Sequence, residues 1–305
     1  QMIKGITDEK IRVSAEDYRK VMENLPIIPM RKRKQFIEAV VRRLNTDLRT
    51  ISKDELGTKN RGDQVESYLG LPNNPVKNVG DLLGVELKSL NVAKGDPLRL
   101  VTREIHSLIF DHLKDKFPQF QYGNRNEDII YYPKFHGNLQ STELINRHPP
   151  LIVETAKMYR STKKGYDGRL DRFKFEIKDG EIVIYARPGY DKGMLSNTHF
   201  TEITKLSIEE LFSKLTCGMI LVYFKNWNKP INGFQIMKVI FAKFSIEDIT
   251  NFLQDGTIGL EFRMKGGQKP RSTGNAFAIS RTDLKQLIHD GFFQSTHDWE
   301  CPDLN

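Results

Sequence analysis

The chain is predicted to be a mixed α/β protein in which strands and helices follow one another without a regular βα repeat. Three observations predict this. Runs such as MILVYF (219–224) and GFQIMKVIFAKF (233–244) are apolar and strand-sized. Stretches such as SAEDYRKVMENL (14–25) and SIEDITNFLQDG (245–256) place a serine cap ahead of apolar residues at helical spacing. No internal repeat, Walker A sequence, dinucleotide-binding glycine fingerprint or GxSxG elbow is present.

The elements follow in order. Ser14 caps the first helix, with Glu16 early in its first turn, and Pro26 and Pro29 end it. The segment 31–51 resumes as a helix whose stripe is Phe36, Ile37, Val40, Val41 and Leu44. Its basic face, Arg31 to Lys34 with Arg42 and Arg43, is read as solvated. RGDQVESYLGL (61–71) carries Val65, Tyr68 and Leu69 on one stripe, and Gly70 stops it. After the loop 72–80, Val85 and Leu87 alternate with Glu86 and Lys88, which is strand periodicity. EIHSLIFDHLKDKF (104–117) reads as an amphipathic helix ended by Pro118. From 119 to 200 the composition shifts towards Tyr, Arg, Asn, Gly and Lys. Within that stretch, 172–188 is a hairpin around Asp179-Gly180. Beyond it come a helix capped by Ser207, the two apolar strands, a helix stopped at Gly256, a strand from 257 to 265, the strand AFAIS and a terminal helix from Arg281. The expected organisation is 1–118, N-terminal helices and the first part of a core; 119–200, an insertion; and 201–305, the second part of the core.

Composition bounds the function. The chain has 305 residues, 38% hydrophobic and 28% charged, enough for a sizeable core and typical of a soluble protein. Lys and Arg number 47 against 39 Asp and Glu, so the net charge of +8 favours an anionic partner, of which nucleic acid is the usual one. No apolar run reaches membrane-spanning length, and the first twenty residues lack the apolar core of a secretory leader. Two cysteines, Cys217 and Cys301, make neither a disulfide framework nor a zinc ribbon, and His297 near Cys301 is read as incidental. A cytoplasmic location is therefore expected.

GDLLGVELKS (80–89) is the stretch with chemistry in it. Period-two alternation puts Glu86 and Lys88 on one face, and Gly84 allows a bend that returns Asp81 towards Glu86. Two readings fit. One is an amphipathic edge strand with a solvated Glu–Lys pair of little energetic weight. The other is a metal site, in which two carboxylates offer hard oxygen ligands to Mg²⁺ and the ammonium faces a water or a phosphate oxygen.

With its flanks, RGDQVESYLGLPNNPVKNVGDLLGVELKSLN (61–91) resembles the core of the mismatch-repair nicking endonuclease MutH and its restriction-enzyme relatives, Sau3AI and the MvaI/BcnI group. There a glutamate-bearing helix ends in LG, and an Asp precedes a G-V/I-E-L-K strand. The matching positions here are Glu66, Gly70, Asp81, Glu86 and Lys88. The dense match covers about thirty residues, and a looser one covers the C-terminal third. Gly80 stands where many relatives have Pro, and 104–200 is longer than in the nickase.

The resemblance implies a PD-(D/E)xK nuclease fold, a central mixed sheet flanked by helices, and hydrolysis of double-stranded DNA with Mg²⁺. It implies that Asp81, Glu86 and the Leu87 carbonyl hold the metal. Lys88 would position or deprotonate the attacking water, and Glu66 would hold a second metal or orient Lys88. Lys163, Lys164, Arg169 and Arg172, and Arg263, Lys265, Lys269 and Arg271, are the candidate DNA contacts, on two cationic stretches. The expected function is a type II restriction endonuclease, acting as a monomer or homodimer. A mismatch-repair nickase and a catalytically silent DNA-binding module are the alternatives; the intact acids and lysine weigh against silence.

Overall fold

The structure is a computed structural model that describes residues 14–46, 50–52, 65–66, 68–72, 79–92, 97–101, 120–121, 132–133, 157–159, 173–186, 201–227, 233–262, 276–297 and 299–304. The chain divides into two compact units, each discontinuous in sequence. One comprises 1–96, 212–246 and 281–305; the other comprises 97–211 and 247–280.

The first unit is built on a mixed sheet. Its strands are β1 (Thr50–Ser52), β2 (Glu86–Asn91), β10 (Met219–Trp227) and β11 (Gly233–Ala242), in the order β1-β11-β10-β2, with the short β14 (Gln294–Ser295) also on β11. β10 and β11 are antiparallel, as alternating apolar neighbours joined by a short connection should be, whereas β2 lies parallel to β10. Two helices from the N-terminus cover one face. α1 (Ala15–Glu23) starts where the Ser14 hydroxyl accepts the Asp17 N–H at 3.0 Å, and a 3₁₀ turn (Leu25–Ile27) with Pro26 leads into α2 (Met30–Thr46). The predicted α2 stripe is the buried one: Phe36, Ile37, Val40, Val41 and Leu44 join Tyr18 and Met22 of α1 and Leu87, Ile220, Val222 and Phe241 of the sheet in one core. Cutting Ile37 to Ala would remove about 2–5 kcal/mol from this layer.

The basic face of α2 departs from its solvated reading. Arg31 and Lys32 are exposed, but Arg33 donates to the Leu83 carbonyl at 3.0 Å. The Lys34 ammonium lies 2.6 Å from the Asp303 carboxylate, and the Arg43 guanidinium stacks 4.8 Å from the Tyr68 ring centroid. The C-terminal segment is thereby fastened to α2. Cys301 and Leu304 are buried in the same core, and the Cys301 N–H donates to Glu38 at 3.3 Å. Burial pushes the Cys301 thiol up to about 12, which makes it an inert core residue. His297 is exposed, in keeping with an incidental pairing of the two.

The second unit is made of smaller antiparallel sheets. β3 (Leu98–Val101), β6 (Lys157–Tyr159), β12 (Ile258–Phe262) and β13 (Ala276–Ile279) form one in the order β3-β13-β12-β6. β4 (Phe120–Gln121) and β5 (Tyr132–Pro133) pair as a ribbon. β7 (Phe173–Lys178) and β8 (Glu181–Ala186) form the predicted hairpin. Asp179 and Gly180 have φ of +50° and +77°, as a two-residue turn of primed type requires. β9 (Thr201–Ser207) adds a third strand to β8; the sequence reading had no strand there, nor at β3. Helix α3 (Ile208–Thr216) follows β9, α4 (Ile246–Asp255) falls where its serine cap predicted it, and α5 (Arg281–His289), in the first unit, is the predicted terminal helix. The predicted helix at 104–117 lies outside the described residues. No helix among the described residues is long and apolar enough to cross a membrane.

Candidate active site

The site begins with a loop that the sequence winds tightly. Gly80 and Gly84 face each other across an antiparallel bridge, and Leu82 faces Val85 across a second. A Cβ on Gly80 would sit 2.4 Å from the Gly84 carbonyl oxygen and 2.5 Å from the Glu86 nitrogen, so no other residue fits there. This is a physical reason for glycine at that position. Leu83 and Gly84 have φ of +51° and +102°; the first is a left-handed non-glycine residue, a conformation costing about 1–3 kcal/mol. The result is the bend expected at Gly84. Asp81 folds back until its Oδ2 accepts the Leu87 N–H at 3.3 Å.

Glu86 opens β2, where its N–H donates to the Gly218 carbonyl at 2.9 Å and its register partner is Met219. Leu87 points into the core under α1 and α2, so alternation sends Glu86 and Lys88 to the opposite face. The Lys88 ammonium lies 2.6 Å from Glu86 Oε1. The solvated-pair reading fails on burial: the Glu86 side chain is 5% exposed and that of Lys88 21%. A second cation, absent from the sequence reading, meets the same oxygen. Lys214 of α3 lies 3.4 Å from Glu86 Oε1 and is itself 19% exposed. A lysine in SKL, 128 residues from Glu86, gives no local signal; only the apolar Phe212 and Leu215 beside it mark α3 as a helix with one face buried.

Glu66 stands in the short helical segment before Leu69, with Val65 and Leu69 buried in the core. Its place relative to the other acids is read from Tyr18. The Tyr18 hydroxyl is held well above the ordinary phenol range, first by burial and then by the neighbouring charges of Asp81, Glu66 and Glu86. The three acids picked out in the sequence thus all act on one buried phenol, whose hydroxyl donates to the Asp81 backbone carbonyl. Tyr18, a helix residue at core spacing, was missed because its polar tip carries no motif.

Asp81 and Glu86 with the Leu87 carbonyl would make an all-oxygen donor set, which suits a small hard cation such as Mg²⁺ and not a soft one. Among the described residues, no group of three His, Cys, Asp or Glu side chains is arranged to hold a metal by itself, so the carbonyl and water would have to complete the shell. Lys163, Lys164, Arg169, Arg172, Arg263, Lys265, Lys269 and Arg271 all lie outside the described residues.

No family model matches the chain, and no curated protein does. Among solved structures, a complex of the restriction endonuclease MvaI with its cognate DNA substrate is similar, with a TM-score of 0.53 and 12% sequence identity over 87% of this chain and 96% of that one. The chain therefore has a restriction-endonuclease-like fold, with Glu86 and Lys88 at the start of one strand of its mixed sheet and Asp81 in the loop before it.

Proposed function

We propose that the chain is a Mg²⁺-dependent, site-specific endonuclease of the type II restriction class, acting on double-stranded DNA. One observation carries the reading: a carboxylate pair and a lysine, with Glu86 buried, on a fold shared with a DNA-cutting enzyme. Fold alone would not suffice, because folds host many functions. A carboxylate kept in ion pairs inside a core is weak evidence for stability and better explained by chemistry.

Hydrolysis of a phosphodiester needs an activated water, charge neutralisation at phosphorus and support for the leaving 3′ oxygen. Mg²⁺, when bound, lowers the pKa of the attacking water and offsets the phosphate charge. Asp81 and Glu86 present oxygens to it, and the bend at Gly84 sets their separation. Lys88, with two further donor hydrogens beyond its bond to Glu86, orients the water and faces the phosphate. Lys214 shares Glu86 and holds that carboxylate in place. Glu66 assists from behind the first ring of ligands.

Sequence reading is assigned to the cationic stretches. Lys163, Lys164, Lys265 and Lys269 hold phosphates, while Arg169, Arg172, Arg263 and Arg271 are the candidates for guanine edges, each good bidentate contact supplying about 1–3 kcal/mol of discrimination. Binding should weaken steeply with salt. The deciding experiment is plasmid DNA with pure protein and Mg²⁺. Discrete linear fragments support the proposal. Nicking only with added repair partners would make the chain a nickase, and a mobility shift without cutting would make it a binding module. Alanine variants of the four arginines, assayed on cognate and single-base-altered sites, separate base readers from phosphate clamps. A uniform loss at every site would mean clamps only.

A further inference from the structure

We propose that α1 and α2 act as a two-point clamp on the loop that carries Asp81, with Tyr18 and Arg33 as positioning residues. The loop's own hydrogen bonds use the carbonyls of Gly80, Leu82 and Val85: Gly84 donates to Gly80 at 3.1 Å, Val85 to Leu82 at 3.2 Å and Leu82 to Val85 at 2.8 Å. The alternate carbonyls, those of Asp81 and Leu83, are taken by the helices. Tyr18 of α1 donates its hydroxyl to the first, and Arg33 of α2 donates its Nε–H to the second at 3.0 Å. The guanidinium also lies against the backbone at Gly84, where a Cβ would come within 2.6 Å of an Arg33 terminal nitrogen.

The two contacts sit on either side of the turn. They hold Leu83 in its left-handed conformation from outside. The Asp81 carboxylate accepts the Leu87 N–H at 3.3 Å while its backbone carbonyl is held by Tyr18, so the loop backbone that Tyr18 fixes carries the acid. Tyr18 is 1% exposed, and its helix is fastened by Met22 into the core. The N-terminal helices thus set the acid geometry while contributing no acid of their own. A misplacement of about 1 Å at a reacting group costs on the order of a hundredfold in rate, so such a clamp has a function to protect.

The functional half of this inference rests on Asp81 being a metal ligand; the structural half does not. The test uses full-length Tyr18→Phe, which keeps the buried ring, and Arg33→Met, which keeps the stem. In metal-free protein, hydrogen exchange of the peptide spanning 79–88 should accelerate several-fold in both variants, while peptides from β10 stay unchanged. Calorimetric titration with Mg²⁺ should show affinity weakened about tenfold. Exchange that is unchanged in the loop, or raised equally in β10, overturns the clamp. Faster loop exchange with unaltered Mg²⁺ affinity overturns the positioning role. If the wild type binds Mg²⁺ no better than Asp81→Asn, the metal-site reading falls instead, and the exchange data still judge the clamp.

Discussion

The chain contains the pattern Glu-x-Lys on a strand twice, and the two copies have different fates. Glu86-Leu87-Lys88 opens β2; Glu176-Ile177-Lys178 ends β7. Each glutamate is held by two lysines. Glu86 has Lys88 at 2.6 Å and Lys214 at 3.4 Å, while Glu176 has Lys178 at 2.8 Å and Lys174 at 3.0 Å. The exposures separate them. The Glu86 side chain is 5% exposed and its lysines about a fifth, whereas Glu176 is 25% exposed and Lys178 54%. At β7 both lysines also sit over the Tyr185 ring, and all partners lie on the same hairpin. At β2 the groups come from separate elements: Asp81 of the loop accepts the Leu87 N–H, Lys214 of α3 pairs with Glu86, and Tyr18 of α1 donates to the Asp81 carbonyl. The lesson is that Glu-x-Lys is a strand-surface pattern first. At Glu86 burial removes water, the adjacent loop adds a second carboxylate and a distant helix adds a second cation.

The largest contrast is expected in activity. Asp81→Ala and Glu86→Ala should each lower Mg²⁺-dependent cleavage by at least about 10²–10³-fold, with DNA binding and folding retained, since the loss falls on the transition state. Glu176→Ala, assayed alongside, should cleave like wild type. Near-normal cutting by Asp81→Ala or Glu86→Ala would remove the site assignment, and a dead Glu176→Ala would remove the comparison.

A second contrast concerns the cations. Lys88→Ala should lose about 10²-fold or more in rate, and Lys214→Ala less, because it acts through Glu86; Glu66→Ala should be the mildest of the three. Equal losses for Lys88 and Lys214 would mean that both face the phosphate. Lys174→Ala and Lys178→Ala should leave the rate constant unchanged.

A third contrast is in acid. Lys178 and then Lys174 hold the Glu176 carboxyl below its ordinary range. A depressed carboxylate stabilises the fold above its unfolded pKa, about 4.3, and that contribution disappears as pH falls through the lower folded value. The melting-temperature difference between wild type and Glu176→Gln should therefore be small and steady near neutrality and shrink to nothing in strong acid. A difference that grows on acidification would contradict the ion-pair assignment.

The smallest effect is expected at the alkaline end. Because the folded Tyr18 phenol is held above its ordinary range, the unfolded chain loses that proton first, above about pH 10. Stability should then fall with rising pH, and Tyr18→Phe should lessen the slope in alkaline urea melts. An unchanged slope would contradict the burial of the phenol.

How much of this was legible beforehand depends on the range of the forces involved. The cap at Ser14, the stripe of α2, the turn at Asp179-Gly180 and the apolar β10 and β11 all follow from neighbours within a few residues. So does the placement of Glu86 and Lys88 on one face, and the glycine bend that returns Asp81 to them. β9 was not legible: in TEITKLS the apolar residues are few, and its strand character comes from pairing with β8. β3, four residues long, depends likewise on β13.

The sequence by itself determined the mixed α/β class, the main helices and strands, and the acids and lysine that make one segment unlike the rest, because periodicity, capping and turn chemistry act locally. Only the tertiary structure decided which Glu-x-Lys lies buried, that Lys214 joins it, that Tyr18 and Arg33 grip the loop, and that the chain interleaves into two discontinuous units. Those outcomes depend on which apolar faces pack together, and packing brings residues 63 and 128 positions apart within bonding distance.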